Sequence, residues 1–124
     1  VIGIVSVFHK ALGIAAVFQV IAYCTCLFTH LRAHVLLLSP IYLGERVWQA
    51  GYDEEFDKKS VEVSRRLGDV YEQIAAHHGI SFLRAADYAH CSGIDEEHLD
   101  AEGHSRLAEA VYNKILRDII SEAA

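Results

Sequence analysis

A chain of 124 residues that is 52% hydrophobic holds enough apolar material for one modest core. Its formal charge of -6, with 11 basic residues and no basic run, excludes the electrostatic footprint that a nucleic acid or an anionic membrane surface would need. Three cysteines, Cys24, Cys26 and Cys91, fit neither a disulfide framework nor the paired spacing of a zinc site. Reduced thiols in a cytoplasm-like compartment, no metal and no cofactor are therefore expected.

From Val1 to Thr29 the only formal charge is Lys10. Ala11 to Phe28 is an 18-residue run interrupted only by Gly13, Gln19 and Thr25, long enough to consider a membrane span. No basic cluster flanks it and no cleavage site follows a charged start, so a buried helix is the preferred reading, with a span left open. The absence of methionine and the start at Val1 point to a fragment or a processed product. Residues 1–32 thus form an atypical apolar segment, and the organisation sharpens only beyond it.

Val35 to Leu38 is a continuous apolar run ended by Ser39-Pro40, which predicts a central strand buried on both faces. A loop follows from Ile41 to about Asp53. Phe56, Val63, Leu67, Val70, Tyr71 and Ile74 then recur at helical spacing, with Gly79 as the C-terminal cap. Ile80 to Leu83 reads as a second strand, parallel to the first because the connection is long enough for a crossover. A last helix is expected from Ala101 to Ile120, with Asp100 as N-cap and Leu107, Val111, Ile115 and Ile119 along one face. The fold class is α/β.

Asp95 and His98 fall in the loop between the second strand and the last helix, on the side where the strands of an open parallel sheet end and ligands bind. A carboxylate separated from the histidine by two residues can hold one imidazole nitrogen so that the other removes a proton from an attacking serine. By spacing alone Asp-x-x-His is a weak signal, and a polar loop with an exposed histidine is the plainer reading. His104 with Asp100 matches no zinc spacing and suits a role in the first turn of the last helix. His77 and His78 suit a helix C-terminus, where cations and donors are favoured. Arg65-Arg66 and Lys58-Lys59 read as the solvated face of the middle helix.

Three blocks in order carry a family resemblance: VLLLSP from Val35, FDKKSVEVSRRLGDVYEQIAAHHGISFLRAADY from Phe56, and DEEHLDAEGHSRLAEAV from Asp95. Together they resemble the C-terminal portion of the SGNH (GDSL-type) hydrolases, small serine esterases, lipases and arylesterases with a flavodoxin-like three-layer parallel sheet. The resemblance covers residues 33–124 and implies a single, partial SGNH domain, incomplete at its N-terminal side. It assigns Asp95 and His98 as catalytic acid and base, matches Leu99 to the residue after the histidine, and matches Gly103-His104 to the helix entry.

Two family blocks have no counterpart here. There is no Gly-Asp-Ser nucleophile motif and no Gly-x-Asn-Asp block for the oxyanion hole, and the single asparagine, Asn113, lies in the last helix. Val1 to Ser6 stands about where the strand before that second block would be, without its polar residues. Ser39 is expected to be a turn residue before Pro40, and Ser39, Pro40, Tyr42 and Trp48 are the candidates to wall a substrate pocket. The resemblance implies a serine hydrolase of small-molecule carboxylic esters. The alternatives are O-acyl transfer, or a noncatalytic remnant that attaches to a membrane or binds a partner; an unpaired strand edge would favour homo-oligomers.

Overall fold

The computed structural model describes residues 19, 21–24, 26, 27, 30, 31 and 33–121. Strand β1 (Leu36–Ser39) and strand β2 (Ser81–Arg84) pair in parallel, with Leu36 opposite Ser81 and Ser39 opposite Arg84. Helix α1 (Lys58–His78) connects them, and helix α2 (Ala101–Ile115) follows β2. Each strand begins and ends one residue later than the apolar run alone suggests. The run marks which residues are buried, whereas the ladder marks which are paired.

Alternation along β1 builds the layers. Leu37 turns to one face and packs with Leu67, Tyr71, Ile74 and Ala75 of α1, together with Ile21. Leu36 turns to the other and meets Leu83 and Ala110, with Leu38, Leu107, Val111 and Ile115 beside them. The sheet is therefore sandwiched between α1 and α2, an α/β arrangement consistent with an incomplete flavodoxin-like fold. Tyr71 is so enclosed that burial pushes its phenol up to about 12.

Helix α1 starts later than its apolar periodicity implies. Asp57 adopts an extended backbone and caps the helix, accepting from the Ser60 N–H at 2.7 Å while Ser60 Oγ accepts from the Asp57 N–H at 3.1 Å. Phe56 lies ahead of that cap and packs against Leu43, Val47 and Val61 in a satellite cluster. At the other end Gly79 takes the left-handed conformation, φ 62°, and returns its N–H to the last turn, as expected of a glycine cap. Helix α2 also departs from expectation: its regular part stops at Ile115, and a π-helical turn occupies Leu116–Ile120. There Lys114 and Asp118 pair at 2.6 Å. The Ile119 side chain and most of residues 1–32 lie outside the described residues.

Gln19, Ile21 to Cys24, Cys26, Leu27 and His30 have helical backbone, and Ile21 is buried against α1. Among the described residues no helix is long and apolar enough to cross a membrane.

Leu36 is fully buried in the layer beneath α2. Leu36→Ala is expected to cost about 2–5 kcal/mol, the range for a large-to-small change in a close-packed core. A urea titration should show this as a lower midpoint at unchanged slope; an unchanged midpoint would rule out this packing.

Candidate active site

Two fixed points bracket the loop that carries Asp95 and His98. On the β2 side, a 3-10 turn at Ala85–Asp87 with buried Ala85, Ala86 and Ala89 ties the chain to the sheet. On the α2 side, Asp100 caps the helix by accepting from the Gly103 N–H at 2.7 Å. Between them Cys91 and Leu99 form an antiparallel bridge, and the Ser92 N–H donates to the His98 carbonyl at 2.6 Å. The intervening residues make a tight excursion with a closed base.

Within it Asp95 acts in two directions. Its Oδ1 accepts from the N–H groups of Glu97 at 3.0 Å and His98 at 2.9 Å, and its Oδ2 lies 3.0 Å from His98 Nδ1. The two backbone donors fix the carboxylate, and the carboxylate fixes the ring. Those donors, from Glu97 first and then His98, hold the Asp95 carboxyl below its usual range. The His98 side chain is 73% exposed, so the engagement of Nδ1 leaves Nε2 for an incoming partner.

Glu96, between these two residues, is oriented inward and was not singled out by any sequence motif. It is 8% exposed and has φ 62°, a left-handed conformation uncommon for a residue other than glycine. Its N–H donates to the Ser92 carbonyl at 2.9 Å, and its own carbonyl accepts from the Gly44 N–H at 2.8 Å. Its carboxylate accepts from the Arg46 backbone N–H at 3.2 Å and from Arg46 Nε at 3.0 Å, and it also pairs with Arg46 Nη2. The side-chain bond from Arg46 is the main reason that the Glu96 carboxyl is held low. A Cβ added at Gly44 would collide with the Glu96 side chain, so this close approach requires glycine. Only the positive φ of Glu96 and its burial reveal the contact, and both are tertiary properties.

The remaining site candidates are placed differently. Ser39 is not a turn residue: it ends β1, is 2% exposed, and its Oγ accepts from the Ala85 N–H at 3.3 Å. The physical reason is the parallel ladder, which extends to the Ser39–Arg84 pair and gives the hydroxyl a buried structural partner. Pro40 and Tyr42 are half-buried in the connection after β1, and Trp48 lies exposed in the turn beyond Arg46. Tyr42 bonds to Arg84, which also pairs with Asp69 at 2.9 Å and Glu72 at 2.5 Å; burial opposes the Arg84 charge, but these partners outweigh it and raise its pKa. The His104 N–H bonds the Asp100 carbonyl in the first turn of α2, and His77 and His78 end α1. Among the described residues no three His, Cys, Asp or Glu side chains come together as a metal set. An open groove lined by Glu72, Gly79, Phe82, Lys114 and Asp118 lies at the start of β2, away from the loop that follows its end.

Two outcomes follow from this geometry. A carboxyl whose folded pKa is depressed adds stability that is fully present above its unfolded value and is lost as pH falls through the lower folded value. Unfolded values are about 3.9 for Asp and about 4.3 for Glu. The His98 amide, bonded to Asp95, and the Arg46 amide, bonded to Glu96, should therefore keep their NMR shifts at these values and move only at lower pH. Midpoints at the unfolded values would refute the docked loop. Ser39→Ala should cost about 1–3 kcal/mol by stranding the Ala85 N–H, measured by urea unfolding; no change in midpoint would mean that this bond contributes nothing.

No protein-family profile and no curated relative matches the chain by sequence. Solved structures do match it. A putative arylesterase from Agrobacterium tumefaciens is 25% identical, with a TM-score of 0.60 over 86% of this chain and 50% of that one. Est24, a carbohydrate acetylesterase from Sinorhizobium meliloti, is 29% identical, with a TM-score of 0.57 over 67% of this chain and 38% of its own. Axe2, an acetylxylan esterase from Geobacillus stearothermophilus, is 17% identical and shares the fold, with a TM-score of 0.59 over 83% of this chain and 47% of its own. The chain spans half or less of the length of each of them. In its layers, its element order and its likeness to these esterases, the chain carries the C-terminal portion of the SGNH (GDSL-type) hydrolase fold.

Proposed function

We propose that the chain serves a serine-type hydrolase of small carboxylic esters, in which Asp95 orients His98 as the general base. The observation that carries this reading is the 3.0 Å contact between Asp95 Oδ2 and His98 Nδ1, with Oδ1 held by two backbone donors. A carboxylate so held selects the tautomer with its proton on Nδ1 and stabilises the imidazolium that forms when Nε2 accepts a second proton. The neighbouring structures support the substrate class, one being a putative arylesterase and another a carbohydrate acetylesterase.

In the reaction His98 Nε2 takes the proton of a serine hydroxyl as its oxygen attacks the ester carbonyl. The same proton goes to the departing alcohol, leaving an acyl-enzyme. Water then enters by the same route, with His98 as base and afterwards as acid. Neither a Gly-Asp-Ser block nor a Gly-x-Asn-Asp block is present in the sequence, and Ser39 is buried and engaged. That inventory favours a second reading, a noncatalytic remnant with a preserved relay, because triad members act as a unit and oxyanion donors contribute orders of magnitude.

Labelling of the full chain with a fluorophosphonate, read by intact mass and peptide mapping, separates the two. The hydrolase reading expects an adduct on a serine other than Ser39, with Ser6 the candidate outside the described residues. His98→Ala should slow labelling by on the order of 10³-fold or more. A folded chain that takes no adduct would overturn hydrolysis by this chain and leave the noncatalytic reading. If labelling succeeds, a product assay with an added alcohol distinguishes hydrolysis from acyl transfer.

A further inference from the structure

The geometry points to Arg46 and Gly44 as positioning residues for the Asp95–His98 pair, acting through the buried side chain of Glu96. This rests on the relay reading above and extends it to a segment with no chemistry of its own. Arg46 does not touch His98. It binds Glu96, which faces inward and is the direct neighbour of Asp95 in sequence.

Three independent features make Glu96 the hinge of the loop. Its left-handed backbone lies between Asp95 on one side and Glu97-His98 on the other, whose two amides donate to Asp95 Oδ1. Such a backbone persists in a non-glycine residue only when its surroundings over-determine it. Those surroundings are the Arg46 side chain and amide on the carboxylate, the Gly44 amide on the carbonyl, and the Ser92 carbonyl on the N–H. Glycine at position 44 lets the two backbones approach this closely. The segment is anchored in turn: the Leu43 N–H donates to buried Ser64 Oγ on α1 at 3.1 Å, and the Arg46 guanidinium stacks over the Tyr52 ring at 5.4 Å. An acidic side chain that lost Arg46 would no longer be stable in the interior and would pull the loop outward.

The tautomer of neutral His98 reports the pair without requiring catalysis. In water a neutral histidine carries its proton mainly on Nε2; an Asp95 in place shifts it to Nδ1, a difference read in a long-range ¹H–¹⁵N spectrum. The charged groups facing the ring are Asp95 and, at 3.9 Å, Glu97, and neither is altered in the positioning variants. The full-length chain is compared with Arg46→Gln, Glu96→Gly and Asp95→Ala, each checked for a cooperative melt. Glu96→Gly relaxes the backbone while removing the clamp, so it carries the test if Arg46→Gln fails to fold. The expected result is an Nδ1-protonated ring in the parent and a return toward the water-like distribution in all three variants. Folded Arg46→Gln and Glu96→Gly chains that keep the parental tautomer overturn the positioning role alone. A parent that is already water-like and unaffected by Asp95→Ala overturns the relay and this inference with it.

Discussion

Glu96 is 8% exposed, and an acidic side chain turned inward is costly without a partner; meeting that cost is the constraint on which the candidate site depends. Its partner, Arg46, lies 50 residues away in sequence, in the connection that leaves β1. Joining the two brings a strand-to-helix connection against a strand-to-helix loop, and the second of these carries Asp95 and His98. The order of constraint runs from α1 through Ser64 and Leu43 to Gly44 and Arg46, then through Glu96 to the catalytic candidates. The nonlocal links are hydrogen bonds between groups that would be costly to bury unpaired, and the rest are chain neighbours. The exposed pair is thus held through the inward-facing Glu96 and its half-exposed partner Arg46.

The layered core serves the same end at a larger scale. Leu36 and Leu37 face opposite helices, so the sheet is packed from both sides. The loop grows from the end of β2 and feeds directly into a capped helix, which places it where open parallel sheets present ligand sites. Fold alone does not assign an activity. The likeness to esterases gains weight here because Asp95 and His98 lie in this loop and meet at hydrogen-bond distance. The His98 ring is exposed beside a pinned carboxylate, whereas buried Ser39 is part of the sheet.

Much of this was legible from residues alone. Apolar runs and helical periodicity located both strands and both helices, because burial and backbone pairing follow side-chain alternation over short spans. Gly79 and Asp100 announced their caps for the same local reason. Apolar periodicity does not register a cap, a ladder partner or a change of helix type. The spacing of Phe56 suits a helix face, yet Asp57 caps the helix after it and Phe56 packs with Leu43 and Val47. Ser39 looked like punctuation before a proline, yet the ladder with β2 claims it. The last helix looked uniform to Ile120, yet it ends in a π-helical turn after Ile115.

The sequence by itself determined the α/β order, the caps, and the Asp-x-x-His spacing that places a carboxylate within reach of an imidazole, since each depends on neighbours within a few residues. Only the tertiary structure decided that Glu96 points inward, that Arg46 receives it and that Gly44 must leave room. Those contacts join segments about 50 residues apart in a chain whose local pattern gives all three residues the appearance of ordinary loop. Whether a charged side chain is solvated or buried depends on what the fold brings opposite it, and no local pattern encodes that.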